Sequence, residues 1–224
     1  MTAPDEPHVH DHPHEPGHAP HPPARPDTDD TLTYYKAMEV AVRELLIEKG
    51  IISADDVRRA IEAMDARSPA QGARIVARAW TDPAYKARLL ADPNAAIKEL
   101  GIEPGVYKLV VLENTPRVHN LVVCTLCSCY PRGVLGLPPD WYKSRAYRSR
   151  AVHEPRTVLR EFGTEISDNV EVRVHDSTAD MRYLVLPERP AGTEGMSESA
   201  LAELVTRDSM IGVTRARAPS RGGA

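Results

Sequence analysis

Apolar residues in the first half of the chain recur at the three- and four-residue spacing of helices. Asp29 or Asp30, Ser53, Asp82 and Asp92 are suited to cap helices, and the last two precede a proline. Each predicted apolar stripe is thin, so we expect residues 30–104 to form a helical arm that lies on another surface. The expected helices cover 31–49, 54–64, 70–80, 83–90 and 93–100.

The second half of the chain has the pattern of strands separated by turns and short helices. Val170, Val172 and Val174 alternate with polar or charged residues, as in a half-buried strand. We expect further strands at 107–112, 118–123 and 182–186, helices at 155–162 and 197–206, and an irregular stretch at 131–139. The predicted fold class is α+β, with a helical N-terminal arm followed by a mixed α/β layered domain over 105–214.

Both ends of the chain differ from this pattern. Residues 1–29 hold six of the nine histidines and eight of the 20 prolines, which predicts a disordered tail. Residues 215–224 predict a second, flexible tail. No apolar run approaches the roughly 18 residues of a membrane span, and the start lacks the apolar core of a secretory signal. The net charge of −4 argues against a nucleic-acid partner, so we expect a cytoplasmic protein without membrane or nucleic-acid partners.

The candidate chemistry lies in three cysteines at positions 124, 127 and 129. An odd number of cysteines this close together cannot form a disulfide framework. Four uses remain open. These are a structural zinc site with His119 as fourth ligand, a redox pair of Cys124 and Cys127, inert core thiols, and a catalytic metal site.

The hypothesis of a catalytic metal depends on the spacing. Cysteines at i, i+3 and i+5 converge on one point only if the chain curls into a tight claw. The backbone nitrogens of Ser128 and Cys129 then reach the same point, and become strong-field ligands if they lose their protons. Three sulfurs and two nitrogens leave one open position and favour a low-spin trivalent cobalt or iron over zinc. An open position is typical of a catalytic metal.

The run Cys124-Thr125-Leu126-Cys127-Ser128-Cys129 resembles the metal claw of nitrile hydratase alpha subunits. The resemblance spans about 31–214 and favours the catalytic claw over the other three uses. Further blocks resemble the same family in the same order, at 74–93, 134–143, 176–178, 182–187, 189–195 and 205–212.

The resemblance implies that the three cysteines and the Ser128 nitrogen bind one cobalt(III) per chain. It also implies that Cys127 is oxidised to a sulfinic acid and Cys129 to a sulfenic acid. Ser128 would present its hydroxyl to the substrate, which makes Ser128 and Cys129 the expected catalytic residues. Thr125 resembles the cobalt branch of the family, because the iron branch usually has serine there.

The implied activity is hydration of a small nitrile to its amide. Metal binding would make the nitrile carbon electrophilic, and the nucleophile is either the sulfenate oxygen of Cys129 or a water beside it. The implied partners are a beta subunit, in a heterodimer or heterotetramer, and a cobalt-inserting activator protein. Two arginines of the beta subunit would neutralise the oxidised sulfurs. Arg182 matches a family arginine near the subunit interface, so we expect it beside the metal site.

Arg132 departs from the family pattern, since many nitrile hydratases have tryptophan soon after the claw. The gamma subunit of thiocyanate hydrolase resembles this chain in having arginine there and a histidine-rich start. An arginine beside the substrate pocket favours an anion, so a cobalt thiocyanate hydrolase subunit is the alternative function. The stretches 137–141 and 192–195 favour nitrile hydratase. A non-catalytic subunit with structural zinc is the third hypothesis.

Overall fold

The computed structural model describes residues 32–219 and shows helices packed around two small parallel sheets. One sheet pairs β1 (Lys108–Glu113) with β4 (Met181–Leu186), and the other pairs β2 (Val118–Val123) with β3 (Glu171–Asp176). Strands β2 and β4 also contact each other. Fully buried apolar residues of these two strands form the centre of the core. The predicted mixture of a helical first part and a mixed second part is confirmed.

The turn predicted after β1 does not produce a hairpin. Thr115 and Val118 form a single antiparallel bridge, but β1 and β2 each pair with a strand that comes much later in the chain. Every residue of β2 after Val118 is buried, which is typical of parallel strands covered on both faces.

Two N-terminal helices, α1 (Tyr34–Glu48) and α2 (Ala54–Asp65), have no buried residue. Ser53 caps α2, as predicted, and the structure adds a reciprocal capping box with Asp56. The expected caps of the first helix, Asp29 and Asp30, lie outside the described residues. Its cap is Thr33, whose hydroxyl accepts a hydrogen bond from the Lys36 amide at 3.3 Å.

Three further helices are α3 (Pro69–Thr81), α4 (Pro83–Ala91) and α5 (Pro93–Lys98). All three start with proline, and the predicted caps Asp82 and Asp92 accept backbone hydrogen bonds at 2.9 and 3.1 Å. Unlike α1 and α2, these helices are part of the core. The helical region predicted as one arm therefore has two parts, and the first buried residue among the described ones is Gly72, within α3.

Four helices follow β2, namely α6 (Arg132–Leu135), α7 (Asp140–Lys143), α8 (Arg145–His153) and α9 (Pro155–Glu161). The helix expected at 155–162 is confirmed by α9. The prediction of an irregular stretch at 131–139 was wrong for α6. Val134 and Leu135 are fully buried there, and this tertiary packing outweighs the nearby prolines.

The last predicted helix is shorter than expected, because α10 (Glu198–Ala202) ends four residues early and a separate helix, α11 (Arg207–Ile211), follows it. The expected end, Thr206, instead caps α11 through a capping box with Ser209. Residues 215–219 of the predicted tail lie on the domain, where the Arg217 amide donates to the Leu204 carbonyl at 2.8 Å. The predicted tail at 1–29 lies outside the described residues. Within 32–219 no helix has both the length and the apolar character of a membrane span.

Gly212, directly after α11, lies against the strand that leads to the cysteines. Its φ of +88° is left-handed, and a Cβ there would lie 1.9 Å from the Asn120 carbonyl oxygen. Gly163 has a similar φ of +76°, but a Cβ added there would have no atom within 4 Å. Both alanine variants incur about 1–2 kcal/mol of backbone strain. Gly212→Ala is expected to lose about 3 kcal/mol more, because backbone must move to relieve the clash.

Thermal unfolding of the two purified variants checks this prediction. We expect a much lower melting temperature, or loss of soluble protein, for Gly212→Ala and a small decrease for Gly163→Ala. Equal decreases would contradict the proposed close approach of Gly212 to β2.

Candidate metal centre

The claw, defined here as residues 124–129, starts where β2 ends. Strands β2 and β3 are parallel and pair Val123 with Asp176, so their carboxyl ends meet at one edge. The Thr125 amide donates to one oxygen of Asp176 at 2.9 Å, and the Thr125 hydroxyl donates to the other oxygen. The Ser177 amide donates to the Val123 carbonyl at 2.7 Å. These bonds fix the start of the claw on the sheet.

The three cysteine sulfurs converge as the spacing predicted. All three Sγ atoms lie within 4.8 Å of one another. The Sγ atoms of Cys124 and Cys127 are 3.5 Å apart, and those of Cys127 and Cys129 are 3.2 Å apart. Cys124 is buried, Cys127 is exposed and Cys129 is intermediate. The site therefore has a closed floor at Cys124 and an open side at the other two sulfurs.

The three converging thiols form a donor set that fits a cation. Burial raises the pKa of Cys129 to about 12, and its hydrogen bond to Cys127 acts in the same direction. The pKa of Cys127 is lowered, chiefly because it accepts that bond. Full deprotonation of sulfurs this close together needs a cation that replaces the protons. Clustered thiolates are soft donors that suit transition metals rather than magnesium or calcium.

Side chains of α7 and α8 also hold the claw. The Arg148 Nη1 donates to the Cys127 carbonyl at 2.7 Å, and the Tyr142 hydroxyl donates to the Cys129 carbonyl at 2.8 Å. The Tyr147 hydroxyl donates to Val122, two residues before the claw, at 2.7 Å. Sequence reasoning missed these residues, and the closely spaced tyrosines just after the claw are the only signal that pointed to them.

Arg182 lies close enough to the claw for its charge to oppose the raised pKa of Cys129. Its guanidinium stacks 5.1 Å from the centre of the Tyr107 ring, and its Nη1 donates to the Met181 carbonyl at 3.2 Å. Arg132 is exposed at the first position of α6. The next amide, that of Gly133, donates to the Tyr107 hydroxyl at 2.9 Å, so Tyr107 connects the surroundings of both arginines.

His119 does not complete a zinc site. It is buried, and its Nε2 donates to the Gly212 carbonyl at 2.7 Å while its Nδ1 accepts from the Asn114 amide at 3.3 Å. Burial lowers its pKa, which favours this neutral tautomer. Within 32–219 the three cysteines form the only cluster of potential metal-ligating side chains. The structural-zinc hypothesis therefore lacks the histidine that it needed, since such zinc is usually four-coordinate.

Comparison with known proteins agrees with this geometry. The family model described as nitrile hydratase, alpha chain, matches residues 33–214. The low-molecular weight cobalt-containing nitrile hydratase subunit alpha of Rhodococcus rhodochrous is 54% identical over 189 residues, covering 83% of this chain and 89% of the relative. Thiocyanate hydrolase subunit gamma of Thiobacillus thioparus is 45% identical over 196 residues, covering 82% and 81%.

A solved structure shows the same fold. Recombinant thiocyanate hydrolase with partially modified cobalt centres superimposes with a TM-score of 0.77 and 44% identity, covering 85% of this chain and 93% of that chain. The family model covers nearly all of the described residues, including the claw and the strands that hold it. This chain belongs to the nitrile hydratase alpha-chain family.

Proposed function

We propose that this chain is the metal-bearing alpha subunit of a cobalt nitrile hydratase, which hydrates small nitriles to amides. The convergence of three Sγ atoms within 4.8 Å at the open end of β2 carries the proposal. The family match and the cobalt-containing relative support it. Thr125, at the second claw position, supports cobalt rather than iron.

The ligands of the proposed cobalt(III), one per chain, are the sulfurs of Cys124, Cys127 and Cys129 and the backbone nitrogen of Ser128. When bound, the metal supplies Lewis-acid chemistry that polarises a carbon–nitrogen triple bond. The differing exposure of the cysteines supports the proposed oxidations. Cys127 and Cys129 are accessible to oxygen, whereas Cys124 is 1% exposed and is expected to stay a thiolate.

Ser128 and Cys129 are the proposed catalytic residues. Both are partly exposed at the open side of the cluster, where a substrate can approach. The Ser128 hydroxyl is suited to hold the nucleophile, which is either a water or the oxygen carried by oxidised Cys129. Addition of one water to the nitrile gives the amide, and no second hydrolysis to the acid is expected.

Arg182 and Arg132 are the proposed positive groups around this site. Arg182 acts on Cys129 through its charge and is held by its stacking on Tyr107. Arg132 is exposed three residues after Cys129, where it can influence which substrates enter. An exposed arginine there favours anions, and this observation keeps thiocyanate hydrolysis as the second candidate function. The identity to the thiocyanate hydrolase gamma subunit supports that candidate.

The proposed assembly is a heterodimer or heterotetramer with a beta subunit. Helices α1 and α2 support it, because neither has a buried residue and both carry large apolar side chains in solvent. The exposed apolar residues of these helices are Tyr34, Tyr35, Met38, Val40, Val42, Leu45, Ile61 and Met64.

Cobalt insertion by an activator protein is also part of the proposal. The three free thiols support a reducing compartment such as the cytoplasm.

The test gives the cobalt-loaded complex acrylonitrile, benzonitrile and thiocyanate in parallel. We expect acrylamide and benzamide, measured by chromatography, with kcat/KM at least about a hundredfold above that for thiocyanate. Carbonyl sulfide and ammonia from thiocyanate, with both nitriles inert, would favour the second candidate. A cobalt-loaded complex that converts none of the three would overturn both catalytic functions.

A further inference from the structure

We infer that Arg148 is a positioning residue for the metal centre, which it serves by holding the peptide between Cys127 and Ser128. This inference rests on the proposed function. The Arg148 Nη1 donates to the Cys127 carbonyl oxygen at 2.7 Å, a short distance for a hydrogen bond from a cation. That oxygen belongs to the peptide whose nitrogen, on Ser128, is a proposed ligand.

The position of this peptide decides the geometry of the ligand set. Rotation of the peptide between Cys127 and Ser128 turns the Ser128 nitrogen toward or away from the point where the three sulfurs converge. The other claw contacts lie at its ends, where Asp176 binds Thr125 and Tyr142 binds the Cys129 carbonyl. Arg148 holds the middle of the claw, through the Cys127 carbonyl.

Arg148 is also set up for this contact by its own surroundings. It belongs to α8, whose Tyr147 and Ala151 are buried and whose Tyr147 hydroxyl is bonded to β2. The Arg148 side chain is half-buried, and its Nε is buried without a hydrogen-bond partner among the described residues. An arginine placed only for surface solubility would not leave a buried donor unpaired.

The charge of Arg148 matters as well as its shape. Three anionic sulfur ligands, one of them the Cys124 thiolate, and a deprotonated peptide nitrogen carry more negative charge than a trivalent cation neutralises. A guanidinium bonded to that peptide places a positive charge beside the cluster from within this chain. Arg148 thus holds the ligand peptide and partly offsets the excess negative charge.

The experiment compares Arg148→Gln, Arg148→Lys and Arg150→Gln in the assembled complex. Arg150 is the matched control, because it lies on the same helix but pairs with Glu154 and Glu161 instead of the claw. Each complex is expressed at limiting cobalt. The measurements are cobalt content per chain, the position of the sulfur-to-cobalt absorption band, and the melting temperature.

We expect Arg148→Gln to lower cobalt loading about tenfold and to shift the band of the cobalt that remains. Arg148→Lys should be intermediate, since it keeps the charge but loses the planar donor group. Arg150→Gln should lower only the melting temperature. Equal loading and identical bands in Arg148→Gln and Arg150→Gln would overturn the inference. If Arg148→Gln yields no folded complex, an unchanged band in Arg148→Lys overturns it and a shifted band supports it.

The outcome separates this inference from the proposed function. If the unmodified complex binds cobalt and hydrates nitriles, and Arg148→Gln has the same cobalt content and absorption band, only the role of Arg148 is rejected and the proposed function stands. An unmodified complex that takes up no cobalt rejects the proposed function, and with it the inference.

Discussion

Replacing Cys129 by serine is expected to abolish nitrile hydration while leaving most of the fold intact. The Sγ of Cys129 contacts the Sγ of Cys127 at the open side of the claw, so its loss creates no cavity in the core. It does remove a soft ligand and the group proposed to carry the reactive oxygen. Metal catalysis is worth several kcal/mol of transition-state stabilisation, which corresponds to a loss of at least about a thousandfold in kcat/KM.

Three measurements check this prediction: turnover of nitrile, elemental analysis and mass spectrometry. Elemental analysis should show about one cobalt per unmodified chain and much less in Cys129→Ser, and mass spectrometry should show added oxygens on the unmodified 124–129 peptide. The control is Leu126→Ser, which also changes the claw but removes a side chain that is 90% exposed and has no sulfur. It should retain its cobalt. Stoichiometric zinc and unoxidised cysteines in an active unmodified enzyme would contradict the proposed centre.

Local features of the fold could be predicted from the sequence. A capping side chain and a proline at the first turn fix a helix start without help from distant residues, so the starts of α4 and α5 were predicted at the residues where they occur. The claw was readable for the same reason, because three cysteines in six residues leave few ways to converge. Strand limits followed from dense β-branched runs.

Features that depend on contacts between residues far apart in the sequence could not be predicted. The parallel pairing of β2 with β3 puts Asp176 beside Thr125, although 51 positions separate them. Helix α8 escaped prediction because most of its residues are polar and only Tyr147 and Ala151 are buried. Arg148 was missed with it, since its role comes from where that helix packs and not from its neighbours in sequence.

Removing the beta subunit is expected to abolish nitrile hydration as completely as replacing the proposed metal ligand Cys129. Two arginines among the described residues lie near the claw. Arg148 donates to the backbone carbonyl of Cys127, and Arg182 is held beside the claw by its stacking on Tyr107. Neither of these two arginines is hydrogen-bonded to a cysteine sulfur. The proposed oxidation of Cys127 and Cys129 adds charged oxygens there, and we expect the beta subunit to supply cationic donors for them. The purified chain should show less than about 1% of the activity of the complex, a loss of roughly 3 kcal/mol in transition-state stabilisation.

A matched pair of α1 variants tests the proposed docking surface behind this dependence. Leu45→Lys removes an apolar side chain that is 47% exposed and adds one positive charge. Glu48→Lys places the same new side chain on the same helix without removing apolar surface, and its charge change of two units is the larger one. If Leu45 lies in the interface, its loss should cost about 2 kcal/mol of binding, or roughly a thirtyfold weaker Kd for the beta subunit. Glu48→Lys should bind nearly normally, because a charge at the rim contributes little to affinity. Titration calorimetry of each variant with the beta subunit measures both values. Full activity of the isolated chain, or equal Kd values for the two variants, would contradict the proposal that the exposed apolar side chains of α1 bind the beta subunit.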